Sequence, residues 1–174
     1  MRLACFLLAA AAAAAQVKAP RPAPEFQIAE PSGRTAKRSR YRGDVVLVAF
    51  IVTSCSHCQA ASGEFEKLQS DFGRRGFHSA LAAFDEGADV AGYARRFGLT
   101  FPVGRASADQ MRAFLGIPRG QRVATPQVVL IDRIGMIRAQ SAPEGTPMLQ
   151  SPEVLGALIE ALIGRHLVLG TIPD

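Results

Sequence analysis

Two cysteines separated by two residues, Cys55-Ser56-His57-Cys58, have the type and spacing to do covalent chemistry. Thiols at C-x-x-C spacing can close into a disulfide and reopen, so the pair reads as a dithiol–disulfide redox device. The third cysteine, Cys5, falls in an apolar N-terminal stretch with the marks of a removable leader. The attacking species in disulfide exchange is a thiolate, and an ordinary thiol is mostly protonated at neutral pH. Cys55 is expected at a helix N-terminus, where unpaired N–H groups and the helix dipole favour negative charge. His57 is placed to add cationic or hydrogen-bonding support to that thiolate. Such support would make the disulfide a stronger oxidant. Cys58, one turn further on, is suited to resolve a mixed disulfide rather than to start the attack.

Other uses of the pair fit less well. A structural zinc site wants four ligands, and the remaining histidines, His78 and His166, are single and far apart in sequence. No metal or other cofactor is expected. A purely structural disulfide across two residues would close a tiny loop and constrain the unfolded chain little. The formal charge is +5, and basic residues cluster in Lys37-Arg38-Ser39-Arg40-Tyr41-Arg42. That run reads as a solvated hairpin or loop, and no nucleic-acid partner is expected.

The elements that must position the dithiol can be read around it. Val45–Val52 is apolar on both faces, as in a strand buried under helices on both sides. Cys58, Ala61, Phe65, Leu68 and Phe72 then fall on one helical stripe, with Gly73 as the expected stop. The pair therefore sits where a buried strand hands over to a helix. Phe26–Ile28 suggests a first short strand, Pro31–Arg34 a turn, and Phe77–Phe84 another strand. A short helix is expected around Val90–Phe97, ended by Gly98. A second follows the capping-box pair Ser107 and Gln110 and closes at Gly116. Gln127–Ile131 and Ile134–Ala139 read as a hairpin about Asp132-Arg133, and Ser151-Pro152-Glu153 opens a last helix. The order β-α-β-α-(α)-β-β-α predicts an α/β sandwich with a central mixed sheet flanked by helices.

Upstream, Met1-Arg2 and the apolar run Leu3–Ala15 have the form of a secretory signal, with Ala13 and Ala15 offering a cleavage site. Residues 1–15 are expected to be that leader. Residues 16–25, with Pro20, Pro22 and Pro24, read as an extended tether, and 26–174 as the domain. Export to a bacterial periplasm or the cell exterior follows, a compartment where disulfide chemistry is managed. An uncleaved leader would leave the protein membrane-associated.

Three segments carry a resemblance. Arg42-Gly43-Asp44-Val45, Phe50 and Cys55-Ser56-His57-Cys58 resemble the G-K-x-V-L-V-x-F-W-A-x-W-C-x-x-C core of thioredoxin-fold proteins. Residues 93–103, ending Phe101-Pro102-Val103, are similar to the helix and F-P-V segment of the TlpA/ResA-like thiol–disulfide oxidoreductases, neighbours of the AhpC/TSA peroxiredoxins. Residues 125–135, beginning Thr125-Pro126, resemble their T-P-x-x-x-(L/I)-I-D-x-x-G segment. The resemblance spans about residues 26–165. It implies a thioredoxin-like three-layer sandwich and exchange of disulfides with protein substrates. It also implies an electron donor or acceptor in the periplasm or membrane. Pro126 would be a cis-proline facing the dithiol, and Thr125 would offer its backbone to a bound substrate strand. An acidic residue near the dithiol is implied as well, with Glu86 favoured over its neighbour Asp85.

The departures are specific. Ser54 replaces the usual aromatic before the first cysteine, Ser56 replaces a common proline, and the chain has no Trp. His57 before Cys58 resembles the C-x-H-C dithiols of oxidising members, whereas the rest of the chain resembles reducing ones, so both directions of electron flow stay open. Two rival readings belong to the same fold. A peroxiredoxin-like thiol peroxidase needs Thr three residues before its reactive cysteine, where this chain has Val52 and sets Thr53 one residue off. A copper-binding assembly protein typically uses C-x-x-x-C with a distant His, a longer spacing than this one.

Overall fold

The structure is a computed structural model and describes residues 19–164. The leader with Cys5, the start of the Pro-rich stretch and His166 lie outside the described residues. The frame is set by strand β4 (Val45–Ile51), whose seven residues are all buried. Val45, Leu47, Ala49 and Ile51 pack into one core, and Val46, Val48 and Phe50 into another. A strand alternates its side chains between two faces, so burial on both requires a layer on each side. The first face is covered by helices α1 (Ser56–Phe72), α2 (Val90–Phe97) and α4 (Pro152–Ile163), through residues such as Phe65, Tyr93 and Ile159. The second is covered by α3 (Ala108–Leu115) and by Phe26.

Parallel to β4 runs β5 (Phe77–Ala83), and parallel to β5 runs β6 (Val103–Arg105). On the other side β7 (Gln127–Ile131) and β8 (Met136–Gln140) form an antiparallel hairpin. This mixed sheet is the expected one, and it is wider at both edges. Beyond β8 lies β1 (Arg21–Pro22); beyond β6 lie β2 (Gln27–Ala29) and β3 (Thr35–Lys37). The full order is β1-β8-β7-β4-β5-β6-β2-β3.

The expected tether is thus corrected over its described part. Residues 21–23 dock along β8 instead of hanging free: the Ala23 N–H donates to the Gly135 carbonyl at 2.9 Å. The Arg21 guanidinium donates to the Phe114 carbonyl and to Gln140 Oε1. Pro22 is tolerated because an edge strand leaves one row of backbone groups unpaired. The ordered domain therefore begins before residue 26. The Lys37–Arg42 run is the end of β3 followed by a 3-10 turn over Arg38–Tyr41. Gly73 caps α1 with right-handed backbone; the left-handed residue that turns the chain is Gly76, at φ 85°.

Helix starts and stops follow their local chemistry. Ser107 and Gln110 form a reciprocal capping box on α3, and Gly116 leaves it in the left-handed conformation. The Asp89 carboxylate caps α2, and the Ser151 hydroxyl caps α4 with Pro152 in its first turn. No described helix is long and apolar enough to cross a membrane.

Candidate active site at the start of helix α1

The dithiol lies just past the C-terminal end of the central strand β4. Cys55 is the N-cap of α1, and its sulfur accepts the Cys58 N–H at 3.4 Å. A sulfur here replaces the oxygen that normally caps a helix, so one of the helix's unpaired donors points at the reactive atom. Cys55 is half-buried, whereas Cys58 is fully buried on the stripe with Ala61 and Phe65. Both are free thiols.

Their environments drive the two thiols apart. Partial burial alone raises Cys55, but hydrogen bonds with the Thr125 side chain, with Cys58 and with the His57 backbone outweigh it. The thiol sits below its ordinary value. The α1 dipole acts in the same direction. Burial pushes Cys58 up to about 12, and its closeness to Cys55 adds to the rise. One sulfur is prepared to ionise and meet solvent, and the other is held protonated behind it.

Across from the pair is the loop before β7. The Thr125–Pro126 peptide is cis, and Cys55 Sγ lies 3.7 Å from the Thr125 carbonyl. Gln127, completely buried, holds this loop in place. Its Nε2 donates to the Ala124 carbonyl at 2.8 Å and to the Ala142 carbonyl at 3.0 Å, tying the loop to the segment after β8. The Ala124 N–H completes the tie by donating to the Pro143 carbonyl at 2.7 Å.

The carboxylate beside the dithiol loop is Asp85, and this corrects the preference for Glu86, which is exposed. Asp85 accepts the Thr53 N–H at 3.1 Å and the Thr53 hydroxyl through its second oxygen. The Thr53 carbonyl in turn accepts from Gln59 Nε2 at 2.9 Å. Residues 52–54 are therefore strung between the loop after β5 and the first turn of α1. A second buried chain runs under Cys58. Its carbonyl accepts the Ser62 hydroxyl at 2.9 Å, so the Tyr93 hydroxyl donates to Ser62 Oγ, 2.8 Å away. The Tyr93 phenol is raised, mainly by burial and further by the two nearby sulfurs.

His57 is exposed, and its contribution to Cys55 comes through its backbone. The expected ring support for the thiolate is absent from this arrangement. The structure thus gathers Cys55, Cys58, Thr125 and Pro126, leaves Glu86 and the His57 ring at the surface, and adds Thr53, Gln59, Asp85, Ser62, Tyr93 and Gln127. Among the described residues, no group of three or more His, Cys, Asp or Glu side chains could hold a metal ion.

A three-layer sandwich with a dithiol at a helix start, opposed by a cis-proline loop, defines the thioredoxin fold. The AhpC/TSA family model matches residues 20–140, and the chain belongs to that family. The chain is 28% identical over 117 residues to the thiol-disulfide oxidoreductase ResA of Geobacillus thermodenitrificans (strain NG80-2). That match covers 67% of this chain and 64% of the relative, a little under two thirds of its length. Among solved structures, a thioredoxin-family thiol:disulfide interchange protein from Chlorobium tepidum TLS superposes with a TM-score of 0.69 at 24% identity. It covers 83% of this chain and 97% of its own. The thioredoxin domain of a thiol-disulfide oxidoreductase from Bacteroides vulgatus gives 0.66 at 19% identity, over 83% and 96% of the two chains. At these identities the structural likeness is one of fold.

Proposed function

We propose that the protein is an exported thiol–disulfide oxidoreductase that exchanges disulfides with protein substrates through Cys55 and Cys58. The observation that carries this reading is the division of labour between the sulfurs. Cys55 has a lowered pKa at a helix N-terminus, and Cys58 is buried behind it with its pKa pushed up to about 12.

In the reducing direction the Cys55 thiolate attacks one sulfur of a substrate disulfide. A mixed disulfide forms, and the other substrate sulfur leaves as a thiolate. Cys58 then gives up its proton to solvent or to a leaving thiolate and attacks Cys55 Sγ. The second substrate thiolate leaves, and the Cys55–Cys58 disulfide forms. Two electrons pass from the dithiol to the substrate, and the same steps run backwards oxidise a substrate dithiol. Thr125 and Pro126 border the attacking sulfur, so a substrate strand reaching Cys55 runs along their backbone. The redox partner that restores the dithiol belongs to the periplasm or membrane, and the leader in residues 1–15 supplies the export.

The relationship to ResA supports the activity, and the Thr53 geometry argues against peroxide chemistry. The Thr53 hydroxyl is committed to Asp85, and Val52 stands where a peroxidase needs its Thr. The test is paired. Wild-type protein should catalyse dithiothreitol-driven reduction of a model protein disulfide and consume no hydrogen peroxide above a Cys55→Ser control. Cys58→Ser should accumulate a mixed disulfide with the substrate. Peroxide turnover without disulfide exchange would reject the reading.

A further inference from the structure

The end of the sheet opposite the dithiol holds a cavity of about 330 Å³, formed where the 3-10 turn after β3 meets the β7–β8 hairpin. Three guanidinium side chains line it, those of Arg38, Arg42 and Arg133, together with Tyr41, Asp44 and Asp132. We propose that this cavity binds a compact oxyanion of the phosphate type, gripped by Arg38, Arg42 and Arg133.

The two carboxylates in the wall are already committed. Asp132 accepts the Ile134 and Met136 N–H groups and pairs with Arg138. Asp44 is hydrogen-bonded to His78 Nε2 at 3.0 Å, an ion pair only when that ring is protonated. The arginines are not matched in this way. Arg42 and Arg133 form no ion pair among the described residues, and Arg38 reaches Glu25 only at 3.7 Å.

An independent observation points to a missing acceptor. The Nε atoms of both Arg38 and Arg133 are buried with no hydrogen-bond partner among the described residues. A buried guanidinium N–H without an acceptor is costly, and native structures leave few such groups unmatched. An oxyanion in the cavity would supply acceptors and charge together. Arg offers its donors as a planar fork that fits phosphate oxygens two at a time. The volume suits a phosphate group or a small phosphorylated molecule.

The hairpin is also shaped for close approach. Gly135 has φ 82°, and a Cβ there would lie 2.7 Å from Arg38 Nη1. The turn has no side chain where the guanidinium lies over it. The cavity is a strand's length from the dithiol, roughly 20 Å along β4, so the proposal stands independently of the redox reading.

The test follows backbone amide NMR shifts of the full mature chain during titration with inorganic phosphate, with ionic strength held by chloride. Saturable shifts should centre on Gly43, Arg133 and Gly135. Arg38→Gln and Arg133→Gln should each weaken binding by roughly tenfold or more, the loss of one charge-assisted hydrogen-bonding group. Arg42 is exposed, so Arg42→Gln keeps the fold and must also weaken binding; it serves if either of the other variants fails to fold. A parallel arm uses phosphatidylglycerol vesicles against neutral ones. Vesicle binding lost in the same variants assigns the oxyanion to a lipid headgroup, and phosphate binding alone assigns it to a free molecule; both support the site. Shifts that chloride reproduces, that spread over the whole basic surface, or that survive in Arg42→Gln overturn it.

Discussion

The contrast between the two sulfurs predicts how differently they react with an alkylating reagent. Iodoacetamide is applied at pH 7 to the reduced wild-type protein, and the initial alkylation rate of each thiol is read by peptide mapping, because each sulfur's pKa is set partly by the other. Cys58 is raised from 9.0 to about 12, which leaves about a thousandfold less thiolate than an ordinary cysteine. Cys55 lies below 9.0, so the ratio of thiolate populations is at least that large. Intrinsic nucleophilicity offsets part of it. With a Brønsted coefficient of roughly 0.4–0.5, a thiolate whose parent thiol has the higher pKa by three is about 20–30 times more reactive. The remaining advantage of Cys55 is at least about thirtyfold, and the complete burial of Cys58 increases it. Mass spectrometry of timed quenches gives both rates, and repeating the series from pH 6 to 11 gives the titration of each thiol. The Cys55 rate should level off with a midpoint below 9.0, while the Cys58 rate should still be climbing at the top of the range. Equal rates, or a Cys58 plateau near neutral pH, would refute the assignment of attacking and resolving roles.

The same buried thiol has a stability consequence. The folded pKa of Cys58 is raised, so its contribution is fully present below about pH 9 and lost as pH rises through about 12. In that window reduced protein should lose up to about 1.4 kcal/mol per pH unit. Urea titrations should show this slope diminished in Cys58→Ser. Asp85 is read as an acceptor that holds Thr53 in place. Asp85→Ala should cost about 1–2 kcal/mol and slow disulfide exchange, while Asp85→Asn, which can still accept the N–H and donate to the hydroxyl, should recover most of both. Equal impairment in the two variants would show that the negative charge matters instead. Because the His57 ring is exposed, His57→Ala should move the reduction potential by less than about 15 mV, half the roughly 30 mV that corresponds to 1.4 kcal/mol. A larger shift toward negative potential would restore the ring to the active site. At the junction of β6 and β2, a Cβ on Gly104 would collide with the Ala29 carbonyl oxygen. Gly104→Ala should therefore destabilise the fold by about 1–3 kcal/mol, read as a lower urea midpoint with exchange chemistry retained per folded molecule.

The central strand, the helix after it and the hairpin about Asp132 were legible because each imposes a long pattern. Seven apolar residues in β4 and the stripe from Cys58 to Phe72 leave little choice of period. The β1, β3 and β6 strands are two or three residues long, too short for alternation to register, and their positions depend on distant partners; β2, equally short, was marked by the apolar pair in Phe26–Ile28. Pro20, Pro22 and Pro24 pointed to a free tether for a sound local reason. Nothing local records that Arg21 reaches the Phe114 carbonyl, 93 residues away. The choice between Asp85 and Glu86 depended on the register of the loop leaving β5, which Thr53 sets from another element. Gln127 did carry a signal. An amide at the head of the apolar run Gln-Val-Val-Leu-Ile requires buried partners, and the carbonyls of the cis-proline loop and its neighbour supply them for its nitrogen.

The most direct test of the account is a redox titration of the Cys55–Cys58 couple in the native protein. Samples equilibrated across a range of thiol–disulfide buffers are quenched with acid, alkylated, and analysed by mass spectrometry. One reversible two-electron transition between free dithiol and an intramolecular disulfide is expected. Either Cys→Ser substitution should abolish it, and Cys58→Ser should yield instead a mixed disulfide at Cys55. If no Cys55–Cys58 disulfide forms while the protein stays folded, or if it forms but does not exchange with the buffer, the dithiol is not a redox centre and the proposed function is wrong.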